Sequence, residues 1–509
     1  MCLTSEQLSE LKPLVVAVAG PTNEGKTSLL RTLTNDPDFG HVNAFTGTTV
    51  RAEVQRVFYR GIVEILQLID TPGFQTSSEI MELVQASPEV EARGGEYELS
   101  DILRAIPLDD EDFRHDLRAW REIERSDVVV FVANIAEDPS KSLLKNTLNL
   151  LQHIGKPTLV AFNNLGTVEN AESASPVQKN FQKEWDLALR RNSFFLVQQY
   201  DAHRRSFQNE VSLFEKLIAL AQDPLTQRVL RMEMGERKAR ERRRLNDSRT
   251  ILAEMLLDVA AFRATENNVE LSDWQKRLEQ LEGALREKVL QREHKAQEAL
   301  LEVWGFKFGM LKRETLVVDD ESHEKDDLFD KDVKKSGALG AGVGAAIGAI
   351  ADVASAGLTF GTGLTIGAFL GGLLGGGGVM AYNSKYDRKR KRISTRVQKK
   401  VVDALTSRGI ELVRKLQTRG KAMEDAMPAT ILAQPATIDV PSLMRTLEKY
   451  ARNPNYSTLN STRSTTGLAS VDWRRLPGAS LISGEAYKTR EEAVAELAEE
   501  LRKALPDVE

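Results

Sequence analysis

Six apolar residues, Leu14-Val15-Val16-Ala17-Val18-Ala19, lead without a break into Gly20-Pro21-Thr22-Asn23-Glu24-Gly25-Lys26-Thr27. A continuous apolar run of this length reads as a strand buried on both faces of a parallel sheet. The octapeptide fits G-x-x-x-x-G-K-[ST], a loop that must stand between such a strand and a helix. Its glycines let backbone amides turn toward phosphate oxygens, its lysine neutralises β/γ charge and its threonine hydroxyl can ligate Mg²⁺. The helix that begins there adds the positive end of its dipole. The candidates for nucleotide contact in this stretch are Gly20, Asn23, Glu24, Gly25, Lys26, Thr27 and Ser28. The bland alternative, a chance glycine turn, has to ignore the strand before it and the helix after it.

Downstream the pattern continues. Arg51 to Tyr59 and Ile62 to Ile69 read as strands joined by a tight turn at Arg60-Gly61. Further strands are predicted at Val128 to Val132, Thr158 to Phe162 and Phe194 to Val197, with helices near Phe113 to Glu124, Leu143 to His153 and Gln178 to Leu189. This alternation predicts an α/β fold with a mostly parallel sheet over residues 1–222, of the P-loop NTPase type. At 509 residues the chain needs more than one core. From Pro224 charged stretches with spaced apolar residues replace strands, and Trp274, Leu278, Leu281 and Leu285 share one helix face. The domain plan is therefore a nucleotide domain at 1–222, a helical stalk or bundle at 223–335, a glycine-rich apolar hairpin at 336–382 and a mainly helical C-terminal domain at 383–509.

Two further elements bear on chemistry. Asp70-Thr71-Pro72-Gly73 ends the Ile62 to Ile69 strand, where an Asp can reach a Mg²⁺ shell and the Gly73 amide can sense a terminal phosphate. Alone this is also a common turn. Phe45-Thr46-Gly47-Thr48-Thr49 precedes the hairpin, and Thr49 is the candidate to close over the metal; the alternative is a set of turn threonines. The metal candidates are thus Thr27, Thr49 and Asp70, and the catalytic ones Lys26, Thr49 and Gly73.

Asn23, the Gly47-Thr48-Thr49 triplet and Asp70-Thr71-Pro72-Gly73 together resemble the Era/TrmE branch of translation-factor-class GTPases, over about residues 12–222. More narrowly, the chain resembles bacterial proteins in which such a domain is fused to a C-terminal domain of unknown function. The resemblance implies GTP and GDP as ligands, Mg²⁺ as cofactor and hydrolysis of GTP. Phe74 stands where Ras-like proteins carry a water-orienting glutamine, which implies slow intrinsic turnover. Asn23 matches an asparagine that in some relatives helps hold an activating K⁺, which implies K⁺- or dimer-stimulated hydrolysis; bracing of the loop is the alternative. The base pocket departs from the family pattern Asn-Lys-x-Asp. Asn163 fits, but Asn164 replaces the lysine and Gly166 the aspartate, and Asp201-Ala202-His203 departs from the later loop. Guanine selectivity therefore comes from the resemblance, since the carboxylate that would specify the base is missing.

Residues 336–382 carry one formal charge, Asp352. Gly340, Gly344 and Gly348 recur at four-residue spacing, as do Gly363, Gly367, Gly371 and Gly375, the small-residue stripe of helices packed in lipid. Gly337 to Ser355 and Gly363 to Tyr382 each approach the ~20 residues that cross a bilayer. Lys334, Lys335 and Arg388 to Arg392 flank both ends, which puts those ends and the nucleotide domain on the cytoplasmic side of an inner membrane. A hairpin buried in a soluble domain and an oligomer contact stand beside this reading. The run Glu236 to Arg244 could meet anionic lipid or RNA, or be a solvated face with internal Glu-Arg pairs. Nucleic acid is not favoured, because a net charge of -5 and a pI near 5.9 leave no global basic footprint. A mean hydropathy of -0.33 argues against a polytopic membrane protein. Cys2 is the sole cysteine, so no internal disulfide forms and a reducing compartment is expected. The first residues lack a secretory pattern, and the six dispersed histidines do not predict a metal site. Two other functions remain open: a non-hydrolysing nucleotide-dependent scaffold, and an Era-like RNA or ribosome factor.

Overall fold

A computed structural model of the chain describes residues 10–34, 39, 52–163, 176–200, 205–306, 311–312, 385–387, 391–397, 399–419, 427–428, 438, 440–461 and 488–507. Two compact units result: Met1–Glu241 with Gln417–Glu424 and Val508–Glu509, and Arg242–Leu416 with Asp425–Asp507.

In the first unit six strands, β1 (Leu14–Ala19), β2 (Glu53–Tyr59), β3 (Val63–Asp70), β4 (Val128–Asn134), β5 (Thr158–Asn163) and β6 (Val197–Gln199), form one sheet in the order β2-β3-β1-β4-β5-β6. Every neighbouring pair is parallel except β2 with β3. Arg60 and Gly61 join that hairpin with φ of 51° and 72°, the mirror-image turn whose twist suits adjacent strands. The central strands alternate between two cores. Leu14, Val16 and Val18 of β1 and Val128, Val130 and Val132 of β4 enter one. Ala17 and Ala19, with Val129, Phe131 and Ala133, enter the other. Both faces are covered because both are apolar, which is why no period-two pattern shows in these runs.

One face is covered by α1 (Lys26–Thr34), which opens directly from the glycine loop, and by later helices. Between β3 and β4 come α2 (Ser77–Gln85), α3 (Pro88–Ala92), α4 (Leu99–Ala105) and α5 (Arg114–Arg125). The sequence pattern anticipates only α5; the other three have nine residues or fewer and show too few turns for a period. Then follow α6 (Ser142–His153), α7 (Pro176–Arg191), α8 (Phe207–Leu220) and α9 (Pro224–Ala261). The last strand starts at Val197 rather than Phe194. Ser193 at φ 58° and the Phe194 amide bonded to the Leu189 carbonyl (2.9 Å) spend residues 193–194 on ending α7. Val229, Leu230 and Met234 of α9 share a core with Phe214 and Leu217 of α8, so the first unit reaches past residue 222 to Glu241.

The second unit is mainly helical. Along α9 and α10 (Trp274–Val303), Ser248 meets Trp304 (3.0 Å), Asp258 meets Arg292 (2.7 Å) and Phe262 lies under Lys288, a descending order that makes the two helices antiparallel. The buried face of α10 is Leu285, Val289, Ala296 and Leu300; Trp274, Leu278 and Leu281 are only half-buried. Asp258, 1% exposed, accepts bonds from Arg292, Arg490 and the Thr458 amide, which satisfies a charge that would be costly alone. A small sheet of β7 (Ala264–Glu266), β8 (Lys385–Asp387) and β9 (Arg392–Thr395), and the helices α11 (Lys399–Thr418), α12 (Pro441–Tyr450) and α13 (Arg490–Leu501), also belong to it, with a short parallel pairing of Leu311–Lys312 and Met427–Pro428. The glycine-rich hairpin at 336–382 lies outside the described residues. Among those described, no helix is long and apolar enough to cross a membrane.

Leu148 on α6 is 1% exposed and Leu108 is 69% exposed. Leu148→Ala is expected to cost ~2–5 kcal/mol, and Leu108→Ala within ~0.5 kcal/mol of zero; denaturant unfolding of the two variants tests this ordering.

Candidate nucleotide site

The site follows from strand register. Val18 pairs with Asp70, so the end of β3 lies beside the end of β1, where the glycine loop starts. Thr27, in the first turn of α1, donates its hydroxyl to Asp70 Oδ2 at 2.5 Å. Asp70 is 1% exposed, and its other oxygen, Oδ1, is buried with no hydrogen-bond partner among the described residues. Burial pushes its carboxyl up to about 6, against the Thr27 bond and the Lys26 charge. A hydroxyl and an unsatisfied carboxylate oxygen side by side are hard oxygen donors of the kind Mg²⁺ takes, so these residues fit that ion.

Lys26 bends back over the loop, donating to the carbonyls of Gly20 (3.1 Å) and Pro21 (2.7 Å). Burial lowers its ammonium to about 8 despite Asp70 and Glu24, so it stays cationic at neutral pH. Two glycines are required by close approach: a Cβ on Gly20 would lie 2.2 Å from the Val132 carbonyl oxygen, and one on Gly73 would lie 2.6 Å from Thr22 Cα. Asn23 is exposed at φ 68°, a left-handed conformation that asparagine tolerates better than most residues. Ser28 is half-buried in the first turn of α1. Asn163 closes β5 and donates Nδ2 to the Glu24 carbonyl at 2.9 Å, tying that strand to the loop. The Glu24 carboxyl, 5% exposed, is raised to about 7 by burial first and then by Glu137. Thr49 and its neighbours, the base-loop residues Asn164 to Gly166, and Asp201 to His203 lie outside the described residues.

The sequence reading missed Thr22, Gln75 and Asp116. Asp116, on α5, accepts from the amides of Gln75 (3.0 Å) and Thr76 (3.2 Å) and so fixes the chain just beyond Gly73. Nothing local marks it, because its partners are 40 and 41 positions away. Part of the basic run Glu236 to Arg244 is held by residues outside it: Glu241 pairs with Arg205 (2.8 Å), Arg240 with Glu233 (2.6 Å), and Arg237 covers the Phe214 ring while bonding the Leu33 carbonyl, whereas Arg242 and Arg243 are exposed.

A glycine loop between β1 and α1, facing a strand-terminal Asp in a mostly parallel sheet, defines a P-loop GTPase domain, and residues 15–164 match the family described as 50S ribosome-binding GTPase. Residues 187–470, more than half of the chain, match Domain of unknown function (DUF3482), and the chain belongs to that family. Among solved structures it is similar to Era in complex with MgGDPNP and nucleotides 1506-1542 of 16S ribosomal RNA (18% identity, TM-score 0.26, covering 38% of this chain and 52% of that one). It is also similar to an Era variant from Aquifex aeolicus bound to GDP.AlF4- (17%, TM-score 0.28, 51% and 73%). A third is the G domain of the FeoB iron transporter of T. maritima (21%, TM-score 0.24, 42% and 100%). The chain thus spans about half the length of the first of these structures. No curated protein matches it.

Glu24 carries a raised folded pKa, so its stabilising, neutral form is fully present below about 4.5 and is lost as pH rises through about 7. Glu24→Gln does not titrate. The melting temperature of the variant minus that of the parent should therefore climb between pH 5 and 8; thermal melts across that range test it, and a flat difference would refute the buried, raised carboxyl.

Proposed function

We propose that the chain is a Mg²⁺-dependent GTPase acting as a conformational switch, attached through residues 336–382 to the cytoplasmic face of a membrane. The observation that carries the nucleotide reading is the Thr27–Asp70 pair with its unsatisfied carboxylate oxygen. Thr27 and Asp70 would hold the metal, with Thr49 joining in the triphosphate state. When bound, Mg²⁺ supplies charge neutralisation across the β/γ-phosphate oxygens. The chain does the rest. Lys26, already aimed over Gly20 and Pro21, exchanges those carbonyls for phosphate oxygens. The Gly73 amide, against Thr22, reports the terminal phosphate, and the segment after it changes order when that phosphate leaves. Phe74, 0% exposed, offers no polar atom to a water, which favours slow intrinsic turnover. The exposed Asn23 supports stimulation by K⁺ or by a second copy of the chain. Guanine as the base is supported by the family match at 15–164.

Calorimetric titration with GTP, GDP and ATP, in K⁺ or Na⁺, tests this. GTP and GDP should bind, and Lys26→Ala should weaken GTP by ~2–5 kcal/mol, the usual penalty for removing one partner of a desolvated charge pair. ATP binding as tightly as GTP would remove the guanine assignment, and an unaffected Lys26→Ala would remove the site.

Membrane attachment is supported by the two glycine series and by the basic flanks, Lys334-Lys335 and Arg388 to Arg392. After carbonate washing of cell membranes the chain should stay in the pellet and a variant lacking residues 336–382 should not. Release of the full chain would count against a hairpin inserted in the bilayer.

A further inference from the structure

Phe74 and Gln75 leave Gly73 in opposite directions. Phe74 forms a lone parallel bridge with Pro21, donates its amide to the Gly20 carbonyl at 3.1 Å and turns its ring into the core against Trp120, 5.1 Å between centroids. In extended backbone the next side chain must face the other way, and Gln75 is exposed. Its backbone is held by Asp116, which is 0% exposed, and its carboxamide Nε2 stands 3.4 Å from Thr22 Oγ1 in the glycine loop. Thr22 is also the residue against which Gly73 packs, and the Lys26 ammonium reaches the two residues just before it. Gln75 thus hangs beside Thr22, the loop residue that Gly73 packs against and that follows the two carbonyls held by Lys26.

We propose that Gln75 orients the attacking water, a role that rests on the GTPase reading above. A carboxamide has both an acceptor and donors: Oε1 can accept from the water while Nε2, lightly held by Thr22, swings to a γ-phosphate oxygen. The water oxygen bonds to the γ-phosphorus, the bond from that phosphorus to the β-bridging oxygen breaks, and the electron pair leaves with GDP. The water protons pass to the phosphate product and solvent, and Gln75 is unchanged. Phe74 therefore anchors the loop, and the residue after it performs the polar task.

The test is single-turnover phosphate release by the full chain with MgGTP, alongside the affinity for GDP and a non-hydrolysable GTP analogue. Gln75→Ala should slow release by ~100-fold, the effect of losing alignment of a reacting group, while both affinities stay within about twofold, as position-only effects in the transition state require. Gln75→Glu, which keeps an acceptor at the same reach, should retain more of the rate than Gln75→Ala. Equal rates for parent and Gln75→Ala, or a loss of affinity that matches the loss of rate, would overturn the proposal and leave Gln75 as a brace for Thr22. A parent that binds GTP yet releases phosphate no faster than Lys26→Ala would instead overturn hydrolysis itself, and this role with it.

Discussion

The hydrogen bond between Thr27 and Asp70 depends on a single register choice, Val18 opposite Asp70, and the rest of the site is arranged around it. Shifting β3 by one residue would turn Asp70 to the opposite face of the sheet. One core holds that register, because Leu66 and Leu68 enter it with Val16 and Val18, and Val128, Val130 and Val132 of β4, the other neighbour of β1, enter the same core. Burial then sets the electrostatics. Desolvation disfavours the charged forms of Asp70, Lys26 and Glu24, so a ligand that brings opposite charge to Asp70 and Lys26 would restore them.

Around this centre the loop is fixed by backbone fits more than by side chains. Gly20 passes under the Val132 carbonyl, Gly73 lies against Thr22, and Asn163 reaches the Glu24 carbonyl from β5. Three strand ends thus hold one loop. The segment beyond Gly73 is attached at two points, Phe74 in the core and the Asp116 carboxylate, which leaves Gln75 between them at the surface.

The strands of the first unit and the helices α6 and α7 after β4 were largely legible in the sequence, through apolar runs and clear periods, whereas α8 was not anticipated. The three short helices α2, α3 and α4 were not, because five to nine residues carry too little pattern. Trp274, Leu278, Leu281 and Leu285 do lie on one helix with the spacing of a shared face, but of the four only Leu285 is fully buried, because burial depends on what packs opposite. The arginine run of α9 was ambiguous for the same reason. Its partners Arg205, Phe214 and Leu33 are distant in sequence, so pairing could not be told from exposure.

By itself the sequence determined the phosphate loop, the strand that enters it and the aspartate that ends β3, because these are local rules: glycine where backbone must turn, lysine and threonine at a fixed spacing, a carboxylate at a strand end. Only the tertiary structure decided that Thr27 and Asp70 share a hydrogen bond, that Phe74 points inward and Gln75 outward, and that Asp116 holds them there. Those facts depend on contacts between residues 40 or more positions apart, which no local pattern encodes and which packing alone enforces.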